Sequence, residues 1–245
     1  MVALWQKVVT RYKHEEALIG YDLLNEPVLG GKSTNLLKKI YRTLIRRLKE
    51  IDRKHTYFLE GSLWSQRIDF LADILEENVS VSIHAYQPLP YTFNFVPFKS
   101  YPGLIQRQRW DRNALMKYLS GYAQFARKHN VDIFVGEFGI NWRGGHWGEC
   151  AYLRDILKAF HAYRFGYAYW TYKAVAQQCF PDGLYQYVDN PSSVRREGPV
   201  YGWENYSDCW KTARKKLLAG WDTSAYVENK GLITVLSKFL ATGAL

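Results

Sequence analysis

Val131-Asp132-Ile133-Phe134-Val135-Gly136-Glu137-Phe138-Gly139 is a short apolar run that ends at a glycine and a carboxylate. Runs of this length, rich in β-branched and aromatic residues and bounded by glycine, read as strands, so a strand is assigned to 131–136 with Glu137 at its end. The same arrangement occurs upstream. Ala17-Leu18-Ile19-Gly20-Tyr21-Asp22-Leu23-Leu24 is a strand-like run that closes as Asn25-Glu26-Pro27. Two carboxylates, each standing where a strand gives way to a loop, suit an acid and a nucleophile.

Working outward from these two runs, strand and helix patterns alternate. An amphipathic helix is expected over the first dozen residues, where Val2, Trp5, Val8, Val9 and Tyr12 recur at three- and four-residue steps. Strand 17–24 is followed by a helix near 34–53, whose apolar face carries Leu36, Leu37, Ile40, Tyr41, Leu44, Leu48 and Ile51 and whose other face is mostly basic. Strand 56–60, a short helix near 68–77 and strand 79–84 come next. Helix 112–129, strand 131–136, helix 149–163, strand 166–172 and helices near 207–219 and 232–241 complete the order. Five βα units in succession argue for parallel strands with helices packed outside them. No internal repeat or linker divides the chain, and residues 1–245 read as a single domain.

Two long loops follow strand ends, on the side where parallel α/β proteins build their sites. Residues 85–111 hold Pro88, Pro90, Pro97 and Pro102 together with Tyr86, Tyr91, Phe93, Phe95, Tyr101 and Trp110. Residues 174–206 hold Gln177, Gln178, Asp182, Gly183, Tyr185, Tyr187, Trp203, Glu204 and Asn205. Loops of this length are more often functional than decorative. Aromatic faces mixed with polar tips suit sugars, which stack their C–H faces on rings and hydrogen-bond through their hydroxyls; the plainer reading is that the rings fill loop interiors.

Composition bounds the rest. With 245 residues and 47% hydrophobic content the chain can bury a substantial core. The net charge of +10 favours acidic partners, yet the lysines and arginines spread over helix faces and form no single tract, which reads as solvated surface and not as a nucleic-acid site. Cys150, Cys179 and Cys209 are too few and too irregular for a disulfide framework or a metal motif; Cys179 and Cys209 can pair in an oxidising compartment. No segment approaches the roughly 18 consecutive apolar residues that span a membrane, and residues 1–13 lack the features of a secretion signal.

The strand-end residues have a chemistry of their own. Retaining cleavage of a glycosidic bond needs one carboxylic acid to protonate the leaving oxygen and one carboxylate to attack the anomeric carbon, about 5–5.5 Å apart. Asn25, beside Glu26, can donate to the hydroxyl next to the reacting carbon. His84 and Tyr86 close the strand Val79-Ser80-Val81-Ser82-Ile83 and, two residues apart, face the same way if the extended conformation persists. Tyr86 can donate to Glu137 and hold it ionised, with His84 near the acid. Trp170, in Tyr169-Trp170-Thr171-Tyr172-Lys173, offers an aromatic floor for the sugar. Singly, each has an ordinary reading as a capping, solvated or packing residue. Glu60, which closes Tyr57-Phe58-Leu59 before Gly61, is a rival carboxylate, left outside the catalytic pair as a substrate-binding or structural group.

Asn25-Glu26-Pro27, His84-Ala85-Tyr86, Gly136-Glu137-Phe138-Gly139 and Trp170-Thr171-Tyr172-Lys173, taken in that order, resemble glycoside hydrolase family 5, the cellulase-like retaining β-glycosidases of the TIM-barrel type. The resemblance implies Glu26 as acid/base and Glu137 as nucleophile. It implies Asn25, His84 and Tyr86 as their supporting residues and Trp170 as sugar platform. The implied substrate is a β-linked polysaccharide such as cellulose, another β-glucan or mannan, with no metal or cofactor.

The resemblance also implies an eight-stranded barrel of which this chain supplies five βα units, corresponding to strands 4 to 8. The expected fold is therefore an incomplete (β/α)8 TIM barrel. The arginine and histidine that the first three strands would bring have no counterpart here. The preferred explanation is a piece of a longer protein with Met1 internal; two copies completing each other's sheets through open edges, or a free-standing half-barrel, are the alternatives. In the first case the whole protein is expected to be secreted. A non-catalytic carbohydrate-binding remnant is the alternative function.

Overall fold

The computed structural model describes residues 1–29, 33–96, 98–174, 183–186 and 206–242. Pro97, Gln177, Gln178, Cys179, Asp182, Tyr187, Trp203, Glu204 and Asn205 lie outside them. The chain forms two compact units. One comprises Met1–Ala85, Gly121–Gly136 and Arg164–Tyr167; the other comprises Tyr86–Ser120, Glu137–Tyr163 and Ala168–Leu245.

The first unit holds most of a five-stranded sheet of order β1-β2-β3-β6-β7. Its strands are β1 (Gly20–Asp22), β2 (Thr56–Glu60), β3 (Val79–His84), β6 (Ile133–Phe138) and β7 (Gly166–Tyr169). Spatial order follows chain order, as expected when each strand returns beside its predecessor through a helix. β1 pairs parallel with β2, Tyr21 opposite Tyr57, and β2 pairs parallel with β3, Glu60 opposite Ser82. Helix α1 (Val2–Tyr12) precedes the sheet and α2 (Thr34–Lys49) joins β1 to β2. The Ser33 side chain accepts from the Asn35 N–H and caps α2, while Arg46, Arg47 and Lys49 sit in its last turn, where the helix dipole favours positive charge. Leu37, Tyr41, Leu44 and Leu48 of α2 are buried, as are Tyr57 and Leu59 of β2 and Val81 and Ile83 of β3. Each contributes about 1.5–3 kcal/mol by leaving water.

Between α2 and β2, buried Asp52 collects polar partners. Tyr21 donates its hydroxyl to the carboxylate (2.9 Å), His55 Nδ1 lies 2.6 Å from it, and the Lys54 and His55 N–H groups donate to it. Burial alone raises this carboxyl's pKa, but these hydrogen bonds outweigh burial and leave it lowered.

The second unit contains α3 (Leu89–Thr92), the hairpin β4 (Gly103–Ile105) and β5 (Gln108–Trp110), α5 (Glu149–Tyr163), α6 (Tyr206–Gly220) and α7 (Lys230–Thr242). Helix α4 (Arg112–His129) begins in this unit and ends in the first. A three-stranded sheet of order β10-β9-β8 is built from β8 (Lys173–Ala174), β9 (Tyr185–Gln186) and β10 (Val227–Glu228). Tyr91, Tyr101 and Tyr152 pack ring against ring at 5.5–6.2 Å, and Phe138 meets Phe160 edge-on at 4.9 Å.

Several boundaries differ from the sequence reading. The first strand covers 20–22, not 17–24, because the chain is still turning through Glu15 N–H to Tyr12 O and Leu18 N–H to Glu15 O. The last strand of the large sheet stops at Tyr169, so Trp170 lies just past its end. The short helix expected near 68–77 is a 3-10 helix, Asp69–Ile74. Residues 85–111 are not featureless, since Pro90 at the start of α3 supplies a φ already suited to a helical turn and β4 and β5 form a hairpin.

Candidate active site

Three successive strands of the first unit deliver Glu26, Glu60 and His84. Glu26 follows β1 with φ +46°, a left-handed backbone that non-glycine residues adopt only when their surroundings compel it. Its N–H donates to Glu60 Oε2 at 2.6 Å, and its own Oε1 lies 2.8 Å from His84 Nδ1. The second ring nitrogen, His84 Nε2, lies 3.3 Å from Glu60 Oε1, so the imidazole joins two carboxylates. Tyr41 on α2 donates to the Glu60 carbonyl at 2.8 Å and fixes the end of β2. The Glu60 side chain is 2% exposed and that of Glu26 28%. Glu60 is therefore a sealed anchor that orients the Glu26 backbone and His84, whereas Glu26 still reaches solvent. Asn25 is exposed beside it.

Beyond Glu60 the chain makes a left-handed turn. Leu63, Trp64 and Ser65 have φ of 56°, 53° and 58°, a conformation that costs roughly 1–2 kcal/mol per residue. The turn is held by reciprocal backbone hydrogen bonds between Ser62 and Arg67 (3.0 and 2.9 Å) and by Ser65 Oγ donating to the Ser82 carbonyl at 2.6 Å. Its product is Trp64, 52% exposed, four residues after Glu60. Sequence reasoning passed over Trp64; the one signal was an aromatic residue three positions after a strand-end glycine.

Strand β6 closes on the first unit through Gly136. A Cβ there would stand 2.5 Å from Ser82 Oγ, 3.5 Å from His84 Nε2 and 3.6 Å from Asp22 Oδ2. Only glycine lets the strand lie this close to β3 immediately before Glu137.

The second unit assembles the other carboxylate. Tyr86 donates its hydroxyl to Glu137 Oε2 at 2.7 Å, the contact expected from the sequence. The Tyr86 ring packs edge-on against Phe93 at 4.9 Å, and its carbonyl accepts from Thr92 Oγ1 at 2.6 Å. Trp170 donates its backbone N–H to the Phe138 carbonyl at 2.8 Å, which sets it beside the residue following Glu137, and it is 37% exposed. Glu137 lies inside β6, one residue before its end, and not beyond a strand that stops at 136. A phenol donating to a carboxylate favours the ionised form, and an open indole face near it suits a sugar ring. Among the described residues Cys150 and Cys209 form no disulfide with each other. Among the described residues no helix is long and apolar enough to cross a membrane.

Comparison with known proteins bears on this arrangement. The family model for cellulase, glycosyl hydrolase family 5, matches residues 1–175. The chain is 23% identical over 190 residues to a β-xylosidase of Phanerodontia chrysosporium, a match covering 73% of this chain and 38% of that protein. It is 32% identical over 72 residues to an endoglycoceramidase of Hydra vulgaris, covering 24% of this chain and 14% of that one. Its fold is similar to that of endoglucanase Cel5A from the hyperthermophilic Thermotoga maritima, with a TM-score of 0.66 at 19% identity, over 96% of this chain and 64% of Cel5A. The chain thus spans less than two thirds of the length of each of these proteins.

Proposed function

The chain belongs to glycosyl hydrolase family 5, and from that premise we propose that it is the part of a retaining endo-β-glycosidase that carries acid and nucleophile, acting on a β-linked polysaccharide such as a β-glucan or mannan. Its five sheet strands then correspond to strands 4 to 8 of an eight-stranded barrel. Cel5A crystallised with mannotriose and with cellobiose supports the choice of glycan.

In the first step the Glu137 carboxylate attacks the anomeric carbon. The bond from that carbon to the leaving oxygen breaks, and the Glu26 proton passes to the oxygen. In the second, Glu26 takes a proton from water, the resulting hydroxide attacks the same carbon, and the bond to Glu137 breaks. Asn25 donates to the adjacent hydroxyl. His84 and Tyr86 orient the two carboxylates, Trp170 lies under the reacting sugar and Trp64 offers a face to its neighbour. The observation that carries this reading is the Tyr86 hydroxyl on Glu137 at 2.7 Å, because a buried phenol spent on one oxygen leaves the other to attack.

Reducing-sugar release from soluble β-glucan and mannan, compared between the chain and its Glu137→Gln variant, tests the proposal. Release abolished by the substitution is the expected result. Sugar binding without release in either protein would favour a non-catalytic remnant. Glu26→Gln is expected to slow unactivated substrates far more than aryl glycosides, whose leaving groups need little protonation; equal losses on both would contradict its role as acid.

A further inference from the structure

The loop after β3 ends in three large apolar side chains held in water. Phe95, Val96 and Phe98 are 50%, 38% and 72% exposed. Their exposure is built into the loop from beneath. Arg143, itself buried, donates from Nη1 to Asn94 Oδ1 (3.2 Å) and to the Lys99 carbonyl (3.3 Å), pinning the loop on either side of the three. Its guanidinium lies over the Tyr91 ring at 4.6 Å. Buried Asn141 donates to the Phe93 carbonyl at 2.9 Å, and the Val96 N–H donates to the Pro90 carbonyl at 3.2 Å. Asn94 and Phe98 both adopt left-handed backbone, φ 56° and 65°; asparagine tolerates this conformation, and at Phe98 it costs roughly 1–2 kcal/mol.

We propose that Phe95, Val96 and Phe98 form a lip that docks the protein on an anionic lipid surface. Sugars need hydrogen-bond partners beside the stacking face, and these three side chains carry no polar tip, unlike Trp64 and Trp170 near the carboxylates. Apolar side chains standing out of a basic protein have the chemistry of an interfacial anchor. The anchor's edge is Trp147, which meets Phe98 at 5.7 Å and is of the residue type that favours the boundary between water and lipid. Charge complementarity selects the partner: Lys99 follows the lip directly, and the chain carries 33 lysines and arginines against 23 acidic residues. Such charge draws a protein to anionic headgroups within a Debye length. The ring contacts Phe95 to Phe93 (5.4 Å) and Phe93 to Tyr86 (4.9 Å) connect the lip to the Glu137 side of the second unit, so docking would bring that carboxylate near the membrane. The lip stands apart from the proposed hydrolysis and can be tested without it.

The test is co-sedimentation of the full chain with phosphatidylcholine vesicles and with mixed phosphatidylcholine–phosphatidylserine vesicles. The expected result is binding to the mixed vesicles, weakened at least about tenfold in a Phe95→Ser/Phe98→Ser double variant. Phe95→Trp should retain binding, and Glu137→Gln should bind like the unaltered chain. Because the altered side chains are exposed, unchanged circular dichroism is expected throughout. Absence of binding to mixed vesicles, or equal binding by the double variant, would overturn the proposal. So would a double variant that loses adsorption to insoluble cellulose or mannan while keeping its hold on vesicles.

Discussion

Tyr86 illustrates what one residue can do for a carboxylate. It is a buried phenol two positions past the end of β3, and it spends its donor on Glu137. Tyr86→Phe removes that donor and little volume, so the charged oxygen loses a hydrogen bond of about 1.5–3 kcal/mol. Because that bond orients the nucleophile and keeps it ionised, its loss should lower kcat on an unactivated β-glucan roughly ten- to hundredfold with KM nearly unchanged. Steady-state kinetics check this, and a change confined to KM would mean that the phenol acts on binding instead. Glu60 shows the opposite division of labour. Its strand-end position was legible in the sequence, but its sealed, double hydrogen bonding to Glu26 and His84 was not, because both partners arrive from other strands.

At the scale of elements, strand ends carry the chemistry and turns decide what is presented beyond them. Strands 56–60 and 79–84 and helices 112–129 and 149–163 coincide with the reading from sequence pattern alone, since the strands are short runs buried along almost their whole length and the helices carry an apolar stripe. The left-handed turn at Ser62–Ser65 has no such pattern. Its conformation is imposed by Ser65 reaching β3 and by the pairing of Ser62 with Arg67. Leu63→Gly should relieve local strain and raise stability by about 0.5–1 kcal/mol, the left-handed relief being partly offset by a more mobile unfolded chain. Urea unfolding checks the sign; a loss of stability would show that the half-exposed Leu63 side chain contributes more by packing than its backbone costs.

For the molecule as a whole, stability should depend on pH through Asp52. The carboxyl's pKa is lowered from its ordinary 3.8, against burial, by donors from His55, Lys54 and Tyr21. A lowered pKa means the folded state binds fewer protons than the unfolded one. The stabilisation is therefore fully present above about pH 5 and is lost as pH falls through 3.8 and below. Urea midpoints measured from neutral to acidic pH should decline over that window, and Asp52→Asn should start lower and decline less steeply. Parallel curves for the two proteins would assign acid lability to other carboxyls.

The amino-acid sequence by itself determined the alternation of strands and helices, the family, and the placing of Glu26, His84, Tyr86, Glu137 and Trp170 at or just beyond strand ends, because apolar periodicity and its interruptions are local properties of the chain. Tertiary structure alone decided which carboxylate is sealed and which remains open, which rings stay in water, and how far each strand extends. Those outcomes depend on hydrogen-bond partners that lie 34 residues away for Glu60 and Glu26, 58 for His84 and Glu26, and 49 for Arg143 and Asn94. A polar group's partner is chosen by packing, and packing exists only once the chain has folded.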